Sequence, residues 1–147
     1  MDLKVKGKWF ITLYGPDGEE KQKIVGENVI TDDGLSGLVS HLFETATTPA
    51  SFTYNFIGIG SNSAAAGSGD TALGTELARQ TGTASQSAGA IYTVTATFPS
   101  GVGTGSISEY GLLSSNTAGT LFSRDIEAVV NKGANDTLTV TTEITFT

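Results

Sequence analysis

Apolar and polar residues alternate along most of this chain, which is the pattern of β-strands that bury one face. Residues 3–30 show the pattern first and predict a hairpin, with its turn in the GPDG stretch at 15–18. Five apolar side chains fall on the hairpin face that is predicted to join the core: Val5, Trp9, Ile11, Leu13 and Ile24.

The opposite face of this hairpin mixes cations with aromatic rings: Lys4, Lys6, Lys8, Phe10 and Tyr14. Lys21 and Lys23 follow on the returning strand, so five of the eight basic residues lie near the start of the chain. Two interpretations stay open for this face. It is either a solvated surface whose aromatic rings cover the sheet, or a contact patch for an acidic partner, because aromatics among cations are typical of interface anchors.

A period of three to four residues replaces the alternation in TDDGLSGLVSHLFET and predicts one helix, at about residues 32–44. Thr31 suits the N-cap position, and Asp32 and Asp33 suit the positive end of the helix dipole. His41, the only histidine, falls off the apolar stripe and is interpreted as an ordinary surface residue. We expect the stripe to be buried against the sheet: Leu35, Leu38, Val39, Leu42 and Phe43.

The rest of the chain reads mainly as strands, which are predicted at residues 54–60, 90–98, 106–114, 120–128 and 137–147. Between the first two of them, Asp70 is predicted to cap a short helical turn in TALGTELA. The sequence therefore predicts a mainly β protein, an antiparallel sandwich-like domain with one packed helix. We expect a single domain over residues 1–147, with the N-terminal hairpin and helix followed by a β core at 54–147.

Composition narrows the possible partners. The 147 residues carry a net charge of −7, which argues against duplex nucleic acid, because phosphate binding requires local positive charge. The sequence has no apolar run of the roughly 20 residues that a membrane span needs, and its start does not resemble a signal peptide. We therefore expect neither a nucleic-acid partner nor a membrane partner.

No residue pattern points to catalysis. There is no cysteine, and the single histidine has no neighbours that would make a triad or a metal site. Fifteen acidic residues make some carboxylate pair possible, but no motif singles one out. We expect a protein that is not an enzyme and that has no cofactor and no metal site.

One group of segments is more specific: FIGIGSNSAAAGSGDTALGTELAR, SEYGLL and NKGANDTLTVTTEITF. Together they resemble a domain that recurs in virion proteins of tailed bacteriophages, both in tail-fibre attachment proteins and in small capsid-associated proteins. The resemblance covers about residues 54–147, and GENVITDDGLSGLVSHLF resembles the helix that often precedes that domain. These segments mark the family better than they mark a position in the virion.

The resemblance suggests a structural role for two carboxylates. Glu76 and Glu109 would accept hydrogen bonds from turn backbone or from Arg79 or Arg124, because buried carboxylates persist only when they are paired. Gly111, two residues after Glu109, would let another segment of chain pass close by or would form a bulge.

Within that family, the small size of the domain favours a first hypothesis, a capsid decoration (cement) protein on the virion surface, made in the host cytoplasm. Its partners would be the major capsid protein and neighbouring copies of itself, in a homotrimer. The candidate contact surfaces are the lysine-bearing hairpin face and the small-residue loop at 61–70. A tail-fibre adaptor or baseplate-proximal protein is the second hypothesis, and only the missing shaft region counts against it. A carbohydrate-binding β-sandwich is the third, and it would use exposed aromatics drawn from Trp9, Phe10, Tyr14, Tyr54 and Tyr92.

Overall fold

A computed structural model describes residues 3–42, 53–87 and 89–147. These residues form one helix, α1 (Asp32–Leu42), and ten strands. The strands are β1 (Val5–Tyr14), β2 (Glu20–Glu27), β3 (Val29–Ile30), β4 (Phe56–Gly60), β5 (Glu76–Thr81), β6 (Thr83–Ser87), β7 (Ile91–Phe98), β8 (Gly105–Leu113), β9 (Leu121–Lys132) and β10 (Thr137–Phe146).

The strands form two five-stranded antiparallel sheets. The first sheet has the order β2-β1-β10-β7-β6, and the second has the order β3-β9-β8-β4-β5. The predicted fold class, a mainly β sandwich-like domain with one helix, is confirmed. The predicted N-terminal hairpin is not set apart from the β core, because β1 lies between β2 and β10 in the same sheet.

The core lies between the two sheets and is made by the inward positions of the alternating strands. Trp9 and Tyr110 meet at its centre, with their ring centroids 6.1 Å apart, and both are fully buried. The predicted inward face of the hairpin is therefore confirmed for Trp9. The other buried apolar side chains include Ile11, Leu13, Ile57, Ile59, Val94, Phe98, Ile107, Leu112, Val130, Leu138, Val140 and Ile144.

The helix begins where the sequence predicts, because Thr31 Oγ1 accepts a hydrogen bond from the Gly34 amide over 2.9 Å. The prediction of a buried apolar stripe is wrong in part. Leu35 is 38% exposed and Val39 is 52% exposed, whereas Leu38 packs against the core. The side chain of Leu42, and Phe43 with the predicted end of the helix, lie outside the described residues.

The physical reason for the exposed stripe is that α1 approaches β9 through a glycine. A Cβ at Gly34 would lie only 2.6 Å from the carbonyl oxygen of Phe122, so the backbones of helix and strand meet directly there. The helix consequently turns a face of small residues toward the sheet and leaves Leu35 and Val39 partly in solvent.

The predicted helical turn in TALGTELA is wrong. Residues 71–75 contain no helix, and Glu76 begins strand β5, which pairs with β4. Sheet pairing overrides the local helix propensity of this segment. Asp70 caps a turn instead, because its Oδ2 accepts a hydrogen bond of 2.9 Å from the Gly67 amide.

Candidate functional site

The predicted pair of Glu109 and Arg124 meets on the outer side of the second sheet. Glu109 lies on β8 and Arg124 on the adjacent strand β9, with Arg124 Nε 2.7 Å from Glu109 Oε2. Glu109 is fully buried and Arg124 is 4% exposed. A charge-assisted hydrogen bond of this length in a buried setting fixes both side chains in place.

Arg124 also reaches the loop at residues 61–75. Its Nη1 lies 2.8 Å from Asp70 Oδ2, and its Nη2 lies 3.3 Å from Asn62 Oδ1. The carbonyl oxygens of Ala64 and Ala65 accept hydrogen bonds of 3.2 and 3.4 Å from the same guanidinium. We call Arg124, Glu109, Asp70 and Asn62 the Arg124 node.

The carboxylate of Glu109 holds the far end of the same loop. It accepts hydrogen bonds from the backbone amides of Gly74 and Thr75. The small-residue loop at 61–70, predicted as a contact surface, is thus held to the second sheet by Arg124, and the residues that follow it are held by Glu109. The pKa of Asp70 is lowered, chiefly by the hydrogen bond from the Gly67 amide; burial acts in the opposite direction, and the Arg124 guanidinium lowers the pKa further.

Two glycines of the second sheet lie directly beneath this loop and allow it to pack closely against the sheet. Gly58 on β4 lies opposite Gly111 on β8, and the side chain of Leu73 covers both. A Cβ at either glycine would lie 2.6 Å from a methyl carbon of Leu73. Gly111 therefore has the close approach to another segment that the sequence suggested.

The second predicted pair forms separately from the node. Arg79 makes a two-pronged contact with Glu76, with nitrogen–oxygen distances of 2.9 and 2.7 Å. Its remaining nitrogen donates to the carbonyl oxygens of Ser115 and Ala118 in the turn between β8 and β9. Glu76 differs from Glu109 in burial, because its side chain is 31% exposed. Arg79 thus ties the edge strand β5 to a neighbouring turn.

The lysine-bearing face predicted for the hairpin lies on the outer side of the first sheet. Lys4, Lys6 and Lys8 are exposed, and the rings of Phe10 and Tyr14 are half-buried among them. Lys23 joins them from β2, where it lies opposite Thr12 of β1.

Lys21 does not belong to this face in the same way. Its Nζ lies 3.0 Å from Asp136 Oδ2, so its charge is paired next to the start of β10. The face instead includes Val25, which is 55% exposed and lies opposite Phe10. Val25 was not among the residues predicted for this face, although its two-residue spacing from Lys23 indicates the same side of β2. We call Lys4, Lys6, Lys8, Lys23, Phe10, Tyr14 and Val25 the lysine face.

One pair of adjacent carboxylates was not predicted from the sequence: Asp125 is buried and Glu127 is half-buried. Asp125 on β9 is 6% exposed, and both its carboxylate and that of Glu127 lie over Gly26 of β2. Burial, together with the adjacent Glu127, raises the pKa of Asp125 to about 8. Burial, with these two carboxylates near by, also raises the pKa of Tyr110. Two adjacent, partly or fully buried carboxyl groups are stable together when one holds a proton.

An apolar cavity of about 450 Å³ opens at one end of the sandwich. Its lining includes Leu38, Tyr54, Tyr92, Phe122 and Phe146. Tyr92 is anchored there, since its hydroxyl donates a hydrogen bond of 2.8 Å to the Tyr54 carbonyl oxygen. Burial raises the pKa of both tyrosines. Among the aromatics considered for sugar binding, Trp9 is buried in the core and has no exposed ring face to offer.

In the part of the chain that the structure describes, no cluster of three or more His, Asp or Glu side chains could hold a metal ion. No helix among the same residues is long and apolar enough to cross a membrane. No family model, no curated protein and no solved structure matches this chain.

Proposed function

We propose that this protein is a non-enzymatic structural protein of a tailed-bacteriophage virion, and that it is a capsid decoration (cement) protein. One observation carries the proposal. The segments that resemble phage virion domains, DTALGTELAR and SEYGLL, converge on the Arg124 node and the Arg79 pair. Their charged groups are engaged in holding the loop and the turn in place. The segments that resemble phage virion domains therefore maintain the architecture of the domain, and we assign partner binding to other residues on its surface.

The lysine face is the surface that we assign to the capsid shell. On a chain of net charge −7 it gathers four exposed cations around two half-buried rings and an exposed valine. Glu27 and Glu143 lie opposite Lys8 on the neighbouring strands. The cationic character of the face is therefore carried mainly by Lys4, Lys6 and Lys23. Such a surface is complementary to an acidic surface of the major capsid protein. A protein that binds only the assembled shell makes that shell harder to open, by mass action.

The copy number per purified virion tests the proposal directly. Quantitative mass spectrometry against the major capsid protein should give a ratio near one to one for a protein that covers the shell. A ratio of a few per hundred would assign the protein to the tail, as a fibre adaptor or baseplate-proximal component. Absence from purified virions would overturn both assignments.

Neutralising the lysine face tests the contact surface. The triple variant Lys4→Gln, Lys6→Gln and Lys8→Gln should bind shells stripped of this protein about tenfold more weakly, because each exposed ion pair contributes roughly 0.2–1 kcal/mol. Co-sedimentation with the shells measures the affinity. The matched control makes the same change in net charge outside both candidate contact surfaces, with Ser36→Glu, Thr104→Glu and Thr117→Glu, which are all exposed. Equal losses in the two variants would show that net charge alone matters and that the face is not the contact.

A further inference from the structure

In the part of the chain that the structure describes, the strand β6 is a free edge of the first sheet. Among the described residues it pairs with β7 on one side only, and all five of its side chains are exposed. The unpaired N–H and C=O groups of such an edge are a template for a strand from another chain.

This edge lacks the usual protection. No charged residue occurs anywhere between Arg79 and Glu109, although the chain has 23 charged residues in all. The strand itself, TASQS, also contains no proline. Natural proteins block pairing at exposed edges with charges, prolines, bulges or very short strands.

The other sheet edges of the described chain do carry such protection. The opposite edge of the first sheet, β2, bears Glu20, Lys21, Lys23 and Glu27. In the second sheet, β5 bears Glu76 and Arg79, and β3 is only two residues long. An uncharged edge on a chain of net charge −7 is the place where two copies meet with the least repulsion.

We propose that β6 is a self-association edge, at which two copies of this chain pair antiparallel about a two-fold axis. In such an isologous contact each residue faces a residue of the same strand in the other copy, and no charge is brought against a like charge. The two first sheets would join into one continuous ten-stranded sheet. This contact is independent of the proposed virion role, and its two-fold symmetry differs from the three-fold contact expected of a cement trimer.

The contact is small, since five residues form the edge. Interfaces below about 1,200 Å² are weak or transient, so a dimer should appear only as the protein concentration rises. The same contact becomes much stronger between copies that are held side by side, because the second event is then intramolecular.

Because the chain has no cysteine, single cysteines report the pairing without background. We would introduce Ala84→Cys, Ser85→Cys and Gln86→Cys separately, and Lys23→Cys on the charged edge as the matched control. Directly opposed residues of an antiparallel pair have Cβ atoms about 4.5–5.5 Å apart, near the spacing that a disulfide spans. After mild oxidation, at least one β6 variant should give several-fold more disulfide-linked dimer than Lys23→Cys, and the strongest position identifies the register. If no β6 variant exceeds the control, the proposal is overturned.

A second variant tests the edge in the unlinked protein. Ser85→Lys would place an ammonium group at the middle of β6 in each copy, so the two charges would repel in any register centred near that position, while the pairing with β7 is kept. Sedimentation velocity should show a concentration-dependent monomer–dimer equilibrium for the original chain and a monomer for Ser85→Lys, with unchanged melting temperature. Equal association of the two proteins at every concentration would overturn the proposal.

Discussion

Glu109 is a fully buried carboxylate whose two oxygens accept hydrogen bonds from three donors: the Arg124 guanidinium and the amides of Gly74 and Thr75. The resemblance to phage virion domains suggested a structural role for this residue, because buried carboxylates persist only when they are paired. It could not identify the donors, since Gly74 and Thr75 come from a loop that local patterns describe wrongly. Glu109 anchors that loop to the second sheet. Every described hydrogen bond of its carboxylate comes from the loop or from Arg124, which binds the loop as well.

Replacing Glu109 with Gln should lower the melting temperature by about 10 °C. Breaking a buried ion pair costs about 3 kcal/mol, and a protein of this size loses roughly 2–4 °C for each kcal/mol. The amide of Gln would also turn a donor toward a site that supplies only donors. Calorimetry measures the change, and Glu20→Gln, on the exposed edge strand β2, is the matched control.

The same variant distinguishes structure from activity. If Glu109→Gln left the melting temperature unchanged while it abolished shell binding, the structural role would be wrong and Glu109 would belong to a contact surface.

The buried Asp125 predicts an unusual pH dependence. Its pKa in the folded protein is about 8, raised by burial and by Glu127, whereas an unfolded aspartate titrates near 4. Between these values the folded state holds a proton that the unfolded state releases, so stability should fall as the pH rises from about 4 to about 8. Asp125→Asn, which stays neutral, should remove this slope and raise the free energy of unfolding at neutral pH. Urea unfolding across this range measures it.

Two comparisons make the pH prediction decisive. Asp17→Asn, in the exposed turn between β1 and β2, should keep the original slope. Asp70, with its lowered pKa, destabilises the fold only at lower pH, as it gains its proton, so it leaves the slope above about pH 4 unchanged. If Asp125→Asn were instead less stable at neutral pH and kept the slope, the fold would require Asp125 in its charged form and the prediction would be wrong.

At the scale of the element, α1 illustrates what a periodic pattern misses. The period predicted a helix and its N-cap correctly, yet Leu35 and Val39 are partly exposed. Apolar periodicity assumes that large side chains make the contact with the sheet. Here Gly34 makes it, through the close approach of two backbones, and a glycine contributes nothing to an apolar stripe.

Gly34→Ala should therefore destabilise the protein, although alanine is the better helix former by about 1 kcal/mol. The new methyl group would lie 2.6 Å from a backbone oxygen and 2.7 Å from the Cα atom of Phe122, and backbone cannot yield as a side chain can. We expect a net loss of about 1–3 kcal/mol in chemical denaturation. Ser36→Ala, on the exposed side of α1, should be neutral or slightly stabilising. Equal stability of the two variants would mean that α1 can shift away from β9 at no cost.

The segment that became β5 shows the opposite failure. TALGTELA contains good helix formers, but Glu76, Leu77, Ala78 and the residues after them pair with β4. The partners of that pairing lie about twenty residues earlier in the chain, beyond any local window. In a regular strand the side chains of Glu76 and Arg79 would point to opposite faces, and the register shift of β5 between Glu76 and Ala78 lets them meet. Arg79 alone continues to the turn at Ser115 and Ala118.

At the scale of the whole molecule, strict alternation was sufficient to predict two packed layers of antiparallel strands. The order of the strands was not predictable, because β1 pairs with β10 and β3 pairs with β9 across most of the chain. The strand β6 was missed because TASQS has no apolar face and is held only by its pairing with β7. The surroundings of the Asp125 and Glu127 carboxylates were not predictable either, because they depend on β2, far away in the sequence, packing over both groups.

The long-range pairing of β1 with β10 also has a mechanical consequence. The amide of Thr147 donates to the carbonyl oxygen of Lys4, and the amide of Lys4 donates to the carbonyl oxygen of Thr147, so these two residues leave the sheet side by side. A force that pulls them apart acts along the hydrogen bonds of the β1–β10 ladder, which lie perpendicular to the strands, and loads those bonds one after another. The ladder would unzip from this end at low force, whereas sliding β1 along β10 would require all of the bonds to break together. A tether attached at Lys4 and Thr147 would therefore meet the sandwich in its mechanically weakest direction.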